Sequence, residues 1–200
     1  MKKNILWLGL IFLCGCAYFG YLKDPFVDIP NFYRIDEVIY RGGQPNEKGI
    51  EKLHSLGIKT VVSLKGGNEK PLREKQQLES LGIKFYNLPM SVYQRPTDEQ
   101  VLTFLEILLT RDNQPVFVHC ESGRDRTGAM IAIYRVLVSG KTIKQAYKEA
   151  KGLGFWPYHG DAELKNFIHQ LKDKKIYFEK VAFLRAQPEN LNEPERQTTP

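Results

Sequence analysis

Residues 115–138 read Pro115-Val-Phe-Val-His-Cys120-Glu-Ser-Gly-Arg-Asp125-Arg-Thr-Gly-Ala-Met130-Ile-Ala-Ile-Tyr-Arg135-Val-Leu-Val138. The opening run is apolar, rich in β-branched and aromatic side chains and too short for a helix, which predicts a buried strand. From residue 127 to residue 138 apolar side chains face almost all round a helical wheel, which predicts a central buried helix. A turn between a parallel strand's carboxyl end and a helix N-terminus is where α/β proteins bind anions. Five residues between Cys120 and Arg126 let the backbone curl into a ring whose N–H groups point inward, a nest for a tetrahedral dianion. Glu121, Ser122, Gly123, Arg124 and Asp125 supply the ring, and Gly123 permits close backbone approach. Arg126 closes it and can grip two oxygens with its planar fork. Cys120 sits at the bottom, where inward amides and the helix dipole favour a thiolate. Thr127 can donate its hydroxyl to that sulfur.

The flanking chain alternates strands with helices. Residues 37–41 predict a short strand ended by Gly42, Gly43 and Pro45. Asn46 caps a helix carrying Ile50, Leu53 and Leu56 and stopped by Gly57. Residues 60–64 predict a buried strand, a second helix opens after Pro71 and carries Leu78 and Leu81, and residues 85–88 predict the next strand. The pattern Leu-x-Ser-Leu-Gly-Ile-Lys occurs at 53–59 and again at 78–84, which reads as one glycine helix cap used twice to feed a strand. Thr97 caps a third helix, with Gln100 in capping-box position and Val101, Leu105, Leu108 and Leu109 on one face. Ile143, Ala146, Tyr147 and Ala150 mark one later amphipathic helix; Leu164, Phe167, Ile168 and Leu171 mark another. Strand, helix and strand in succession imply parallel pairing and an α/β fold around a mostly parallel sheet of four to five strands.

A chain of 200 residues fits one domain with appendages. A composition 42% hydrophobic and 26% charged excludes wholesale disorder. Three cysteines, two of them within the first 16 residues, exclude a disulfide framework. Without a Cys-x-x-Cys pair near histidines, a structural zinc site is excluded. Lys and Arg exceed Asp and Glu by 29 to 23, which suits an anionic ligand or a membrane surface and is too weak for nucleic acid.

The N-terminus reads as an address. Lys2 and Lys3 precede an uncharged stretch of 19 residues, 4–22, closed by Lys23. Its apolar heart has the length of a signal-peptide core, and the whole is just enough to cross about 30 Å of hydrocarbon. Leu13-Cys14-Gly15-Cys16 resembles the bacterial lipoprotein processing box, making Cys16 a lipidation candidate. Both outcomes, lipoprotein or uncleaved anchor, leave the chain exported and tethered on the outer face of a membrane. The expected organisation is an address at 1–23, a domain at 24–185 and a disordered, proline-containing tail at 186–200.

The sequence His119-Cys120-x5-Arg126-Thr127-Gly128 resembles the signature of cysteine-dependent protein tyrosine and dual-specificity phosphatases. Tyr40-Arg-Gly-Gly-Gln-Pro45, Leu56-Gly-Ile-Lys-Thr-Val-Val-Ser-Leu64 and Leu153-Gly-Phe-Trp156 extend the likeness to a bacterial branch whose loop has the form Gly-x-Asp-Arg-Thr-Gly. The similarity covers about residues 30–172. It implies the cysteine-phosphatase fold and a two-step hydrolysis of phosphate monoesters through a phosphocysteine, with no metal or cofactor. Substrates would be phosphotyrosine, phosphoserine or phosphothreonine in proteins, or phosphoinositides, with the enzyme a monomer. A catalytically silent phosphate-binding module and a rhodanese-like sulfurtransferase are the competing readings.

Many relatives carry an acidic residue some thirty positions before the cysteine. Here that region is Asn87-Leu-Pro-Met-Ser91, with no carboxylate. Asp125, inside the loop, and Asp98, at the start of the third helix, are the two candidate proton donors; a first-turn acidic residue also has a plain helix-dipole role. His119 is read as a local hydrogen-bonding support for the loop, and Arg124 as pointing away from the ring. Arg41 and Gln44 are read as turn residues or supports of the rim. Trp156 and His159 are read as a pocket wall, or Trp156 as core, and the basic residues of 172–175 as a helix end facing its dipole.

Overall fold

The computed structural model describes residues 28–66, 71–156 and 162–188. Among these, five strands, β1 (Tyr33–Arg34), β2 (Ile39–Gly42), β3 (Thr60–Lys65), β4 (Lys84–Met90) and β5 (Val116–His119), form one sheet in the order β1-β2-β5-β3-β4. β2, β5, β3 and β4 pair in parallel, and β1 pairs antiparallel with β2 at the edge. Seven helices complete the described chain: α1 (Glu47–Ser55), α2 (Leu72–Ser80), α3 (Asp98–Leu109), α4 (Asp125–Leu137), α5 (Ile143–Gly152), α6 (Ala162–His169) and α7 (Lys175–Arg185). The expected α/β architecture and mostly parallel sheet are present.

β5 lies at the centre because both its faces are apolar, as a parallel strand covered on two sides requires. Val116 and Val118 join the larger core with helices α3 to α7, whereas Phe117 faces Ile50 and Leu53 of α1 and Leu78 of α2. Each such side chain contributes about 2 kcal/mol on burial. α4 is buried on nearly every side, as its sequence predicts.

Both copies of the repeated pattern end their helix in the same way. Ile58 N–H donates to the Leu53 carbonyl at 3.1 Å, and Ile83 N–H to Leu78 at 2.9 Å, the six-residue closure of a Schellman cap. Gly57 and Gly82 supply the left-handed residue at φ 71° and 75°. This corrects one detail of the apolar pattern. Leu56 and Leu81 fall on the cap and are substantially exposed, and Ile58 and Ile83 beyond the glycines are buried instead. The Thr97–Gln100 capping box forms in full.

The carboxyl end differs from expectation. Residues 171–173 make a single 3-10 turn and α7 begins at Lys175, so the basic residues of 172–175 lead into a helix rather than finish one, and the dipole reading is reversed. Lys174 instead pairs with Asp98 at 3.0 Å. α7 packs Tyr177, Val181 and Leu184 inward. No helix of the described residues is long and apolar enough to cross a membrane. The N-terminal stretch with Cys14 and Cys16, His159 and residues 189–200 lie outside the described residues.

Candidate active site

β5 delivers two neighbouring side chains to opposite faces of the sheet. Cys120, a free thiol 1% exposed, belongs to the α4 side. His119, wholly buried, lies on the α1/α2 side and stacks on Phe117 with ring centroids 5.6 Å apart. The chain then turns through residues 121–124, and α4 starts at Asp125.

The turn is braced from outside by its carbonyls. Gln44 N–H donates to the Glu121 carbonyl at 3.1 Å, while the Arg124 carbonyl takes Gly128 N–H at 2.7 Å as the first turn of α4. The Gly123 carbonyl accepts from Asn31 Nδ2 at 2.7 Å and from Arg41 Nη2. In a trans peptide the N–H points opposite to the C=O. The N–H groups of Ser122, Arg124 and Asp125 are therefore turned away from the groups that hold these carbonyls. Gly123 has φ 70°, and a Cβ there would stand 2.3 Å from Gly42 C and 2.4 Å from Gly43 N, so neither its conformation nor its packing admits a side chain. Arg41 and Gln44 thus act as supports of the loop.

Arg126 lies on a cavity of about 450 Å³ lined also by Gly66, Pro89, Met90, Ser91, Val92 and Tyr93. Its Nη1 makes only long contacts, 3.4 Å and 3.5 Å, to the Leu64 and Met90 carbonyls at the ends of β3 and β4. Lys65 pairs with Glu121 at 2.8 Å. Thr127 is buried with its hydroxyl unpaired among the described residues. The Arg124 side chain runs beside Gly154, where a Cβ would meet its Cδ at 3.2 Å.

Behind the loop lies a pair that the sequence did not reveal. His119 Nδ1–H donates to the Cys120 carbonyl at 3.2 Å, and Nε2 stands 2.9 Å from Glu74 Oε1. With Nδ1–H given to a carbonyl, the Nε2 contact is a hydrogen bond only when a second proton lies between ring and carboxylate. Gln44 Nε2 holds the other oxygen of Glu74 at 2.7 Å. The signal for Glu74 was faint: a charged residue four positions before Leu78 on the helix's apolar face. Asn31, the other missed residue, joins two chain segments by donating to Gly123 and, at 2.9 Å, to the Leu153 carbonyl.

The two aspartates part company. Asp98 is turned to α7, where the Tyr177 hydroxyl and Lys174 Nζ donate to its Oδ1. The Tyr177 bond first, then the Lys174 bond, holds its carboxyl below the usual carboxylate range, and a carboxyl so held is a poor proton donor. The structure gives Asp98 a tie between α3 and α7. Asp125 stays in the loop, accepting Trp156 N–H at 2.9 Å on Oδ1. Trp156 is 57% exposed, so it is not core; its neighbour Phe155 is.

A free cysteine at a strand end, a loop held by its carbonyls and an arginine beside a cavity agree with the sequence's resemblance to the cysteine-dependent phosphatase class. Residues 27–166 match the family described as DSP-PTPase phosphatase fused to NAD+ kinase, and the chain belongs to that family. It is 32% identical over 126 residues to the dual specificity protein phosphatase TpbA of Pseudomonas aeruginosa, covering 62% of this chain and 55% of that protein. It is 35% identical over 112 residues to the inositol diphosphatase SIW14 of Saccharomyces cerevisiae, covering 54% and 40%. The chain spans about half the length of these curated relatives. The solved core catalytic domain of SIW14, in complex with citrate, superposes with a TM-score of 0.64 at 28% identity, covering 75% of this chain and 92% of that one. The crystal structure of TpbA gives 0.63 at 27% identity, covering 76% and 91%.

Proposed function

We propose that the chain is a phosphatase that hydrolyses phosphate monoesters through a phosphocysteine at Cys120. The observation that carries this is the bracing of the Glu121 and Gly123 carbonyls by Gln44, Asn31 and Arg41, which leaves the amides that follow them turned away from those contacts. Cys120 Sγ attacks phosphorus, the bond to the leaving oxygen breaks, and Asp125 gives that oxygen a proton. Water then gives a proton back to the Asp125 carboxylate as it attacks the phosphocysteine, the P–S bond breaks, inorganic phosphate departs, and the sulfur leaves as thiolate with the Thr127 hydroxyl beside it. Arg126 and the amides carry the charge on the equatorial oxygens in both steps. Sulfur, guanidinium and amides do all the charge work, so no metal enters.

The wall of the cavity bears on the substrate. Val92 and Tyr93, the latter 68% exposed, offer apolar and aromatic surface, and Arg126 is the one cation among the described lining residues. That surface favours an aromatic leaving group, phosphotyrosine, over a polyanionic inositol phosphate. Export to the outer face of a membrane, held there by residues 1–23, is the companion reading of the N-terminal sequence.

The test is turnover of p-nitrophenyl phosphate, which vanadate should inhibit and EDTA should leave unchanged. Cys120→Ser and Arg126→Ala should each lower kcat by at least about a thousandfold; activity surviving in Cys120→Ser would overturn the nucleophile. On an alkyl phosphate, whose leaving group needs a proton, Asp125→Asn should lose about a hundredfold and Asp98→Asn little. A phosphotyrosine peptide should be cleaved with higher kcat/KM than phosphoinositides or inositol pyrophosphates.

A further inference from the structure

Arg41 is fully buried, and its position is fixed by β2. It lies beside Val118 of β5 in parallel register, and laterally paired residues of parallel strands point to the same face, so Arg41 shares the face of Val118 and Cys120. Its Nη2 reaches the Gly123 carbonyl, 82 residues away in sequence, whereas Nε and Nη1 have no hydrogen-bond partner among the described residues. A buried guanidinium with two idle nitrogens is costly and calls for a compensating anion. Burial lowers its pKa to about 10, and the group that most opposes this is Cys120, ahead of Tyr33, Glu149 and Asp125.

Asn31 makes a useful contrast. It donates to the same carbonyl at 2.7 Å and carries no charge. If bracing were all the loop needed, a second neutral donor would serve without the cost of burying a cation.

We propose that Arg41 is a positioning residue for Cys120, a second guanidinium beneath the loop that fixes the Gly123 carbonyl and holds the sulfur as thiolate from the protein side. The claim rests on Cys120 being the nucleophile. Arg126 meets the substrate's oxygens; Arg41 touches no substrate and acts through the loop and its field.

The experiment is iodoacetamide alkylation of the full chain as a function of pH, read by mass on the peptide containing Cys120 so that Cys14 and Cys16 do not interfere. At about pH 6, Arg41→Met should be alkylated roughly tenfold more slowly than the unmodified chain, as expected when the thiolate fraction falls by that factor. The acid limb of kcat/KM should move to higher pH in parallel. Arg41→Lys, which keeps the charge and loses the fork, should recover most of the alkylation rate. Asn31→Ala should lower turnover while leaving the pH profile of alkylation in place. A folded Arg41→Met with the unmodified chain's profile would overturn the proposal. If that variant does not fold, Arg41→Gln decides by the same criterion. An alkylation profile unmoved in an enzyme that Cys120→Ser still silences removes the role of Arg41 alone; turnover that survives Cys120→Ser removes the nucleophile as well.

Discussion

Glu74 meets the His119 ring one residue away from Cys120, and its other oxygen is held by Gln44, whose own N–H braces Glu121. One carboxylate thereby links the back of the loop to its rim. Glu74→Ala removes both carboxylate oxygens and leaves buried His119 Nε2 and Gln44 Nε2 without this neighbour; a loss of about 1–3 kcal/mol in urea unfolding is expected, with kcat/KM lowered about tenfold. Asp98 belongs to a different account. Its folded pKa is depressed, so its stabilising contribution is complete above the unfolded carboxylate range and is lost as pH falls through the folded value. Asp98→Asn should melt below the unmodified chain at neutral pH and converge with it as pH falls below the usual carboxylate range. Cys120, Arg126 and their spacing were legible in sequence because they sit in one short turn. Glu74, Asn31 and the Arg41 contact were not, since each joins segments that only the fold brings together.

At the scale of elements, what could be read was periodic. β5, α4, the Thr97 box and the paired glycine caps follow from local pattern and cap chemistry, and each is present. α7 escaped because its inward stripe of Tyr177, Val181 and Leu184 is blurred by Ile176, Phe178 and Phe183 on other faces, all substantially exposed. The left-handed glycines supply a contrast between strain and collision. Nothing lies within 4 Å of a Cβ at Gly82, so Gly82→Ala should cost only the conformational penalty, about 1 kcal/mol in a denaturant titration. At Gly123 the same change meets backbone at 2.3 Å; phosphate binding and turnover should both be abolished even if the domain still folds.

Across the whole molecule, the formal charge of +6 agrees with an anionic substrate and does not by itself choose among such substrates. The N-terminal sequence makes Cys16 a lipidation candidate, with an uncleaved anchor as the alternative. Metabolic labelling with a fatty-acid analogue should mark the full chain and not Cys16→Ser, and an unlabelled but membrane-bound protein would favour the uncleaved anchor. The sheet itself carries a further consequence. Because β5 sends His119 and Cys120 to opposite sides, deleting one residue within it would exchange their destinations, pointing sulfur at Glu74 and imidazole at α4. Surface connections can therefore lengthen or shorten through evolution, whereas this strand must conserve its parity.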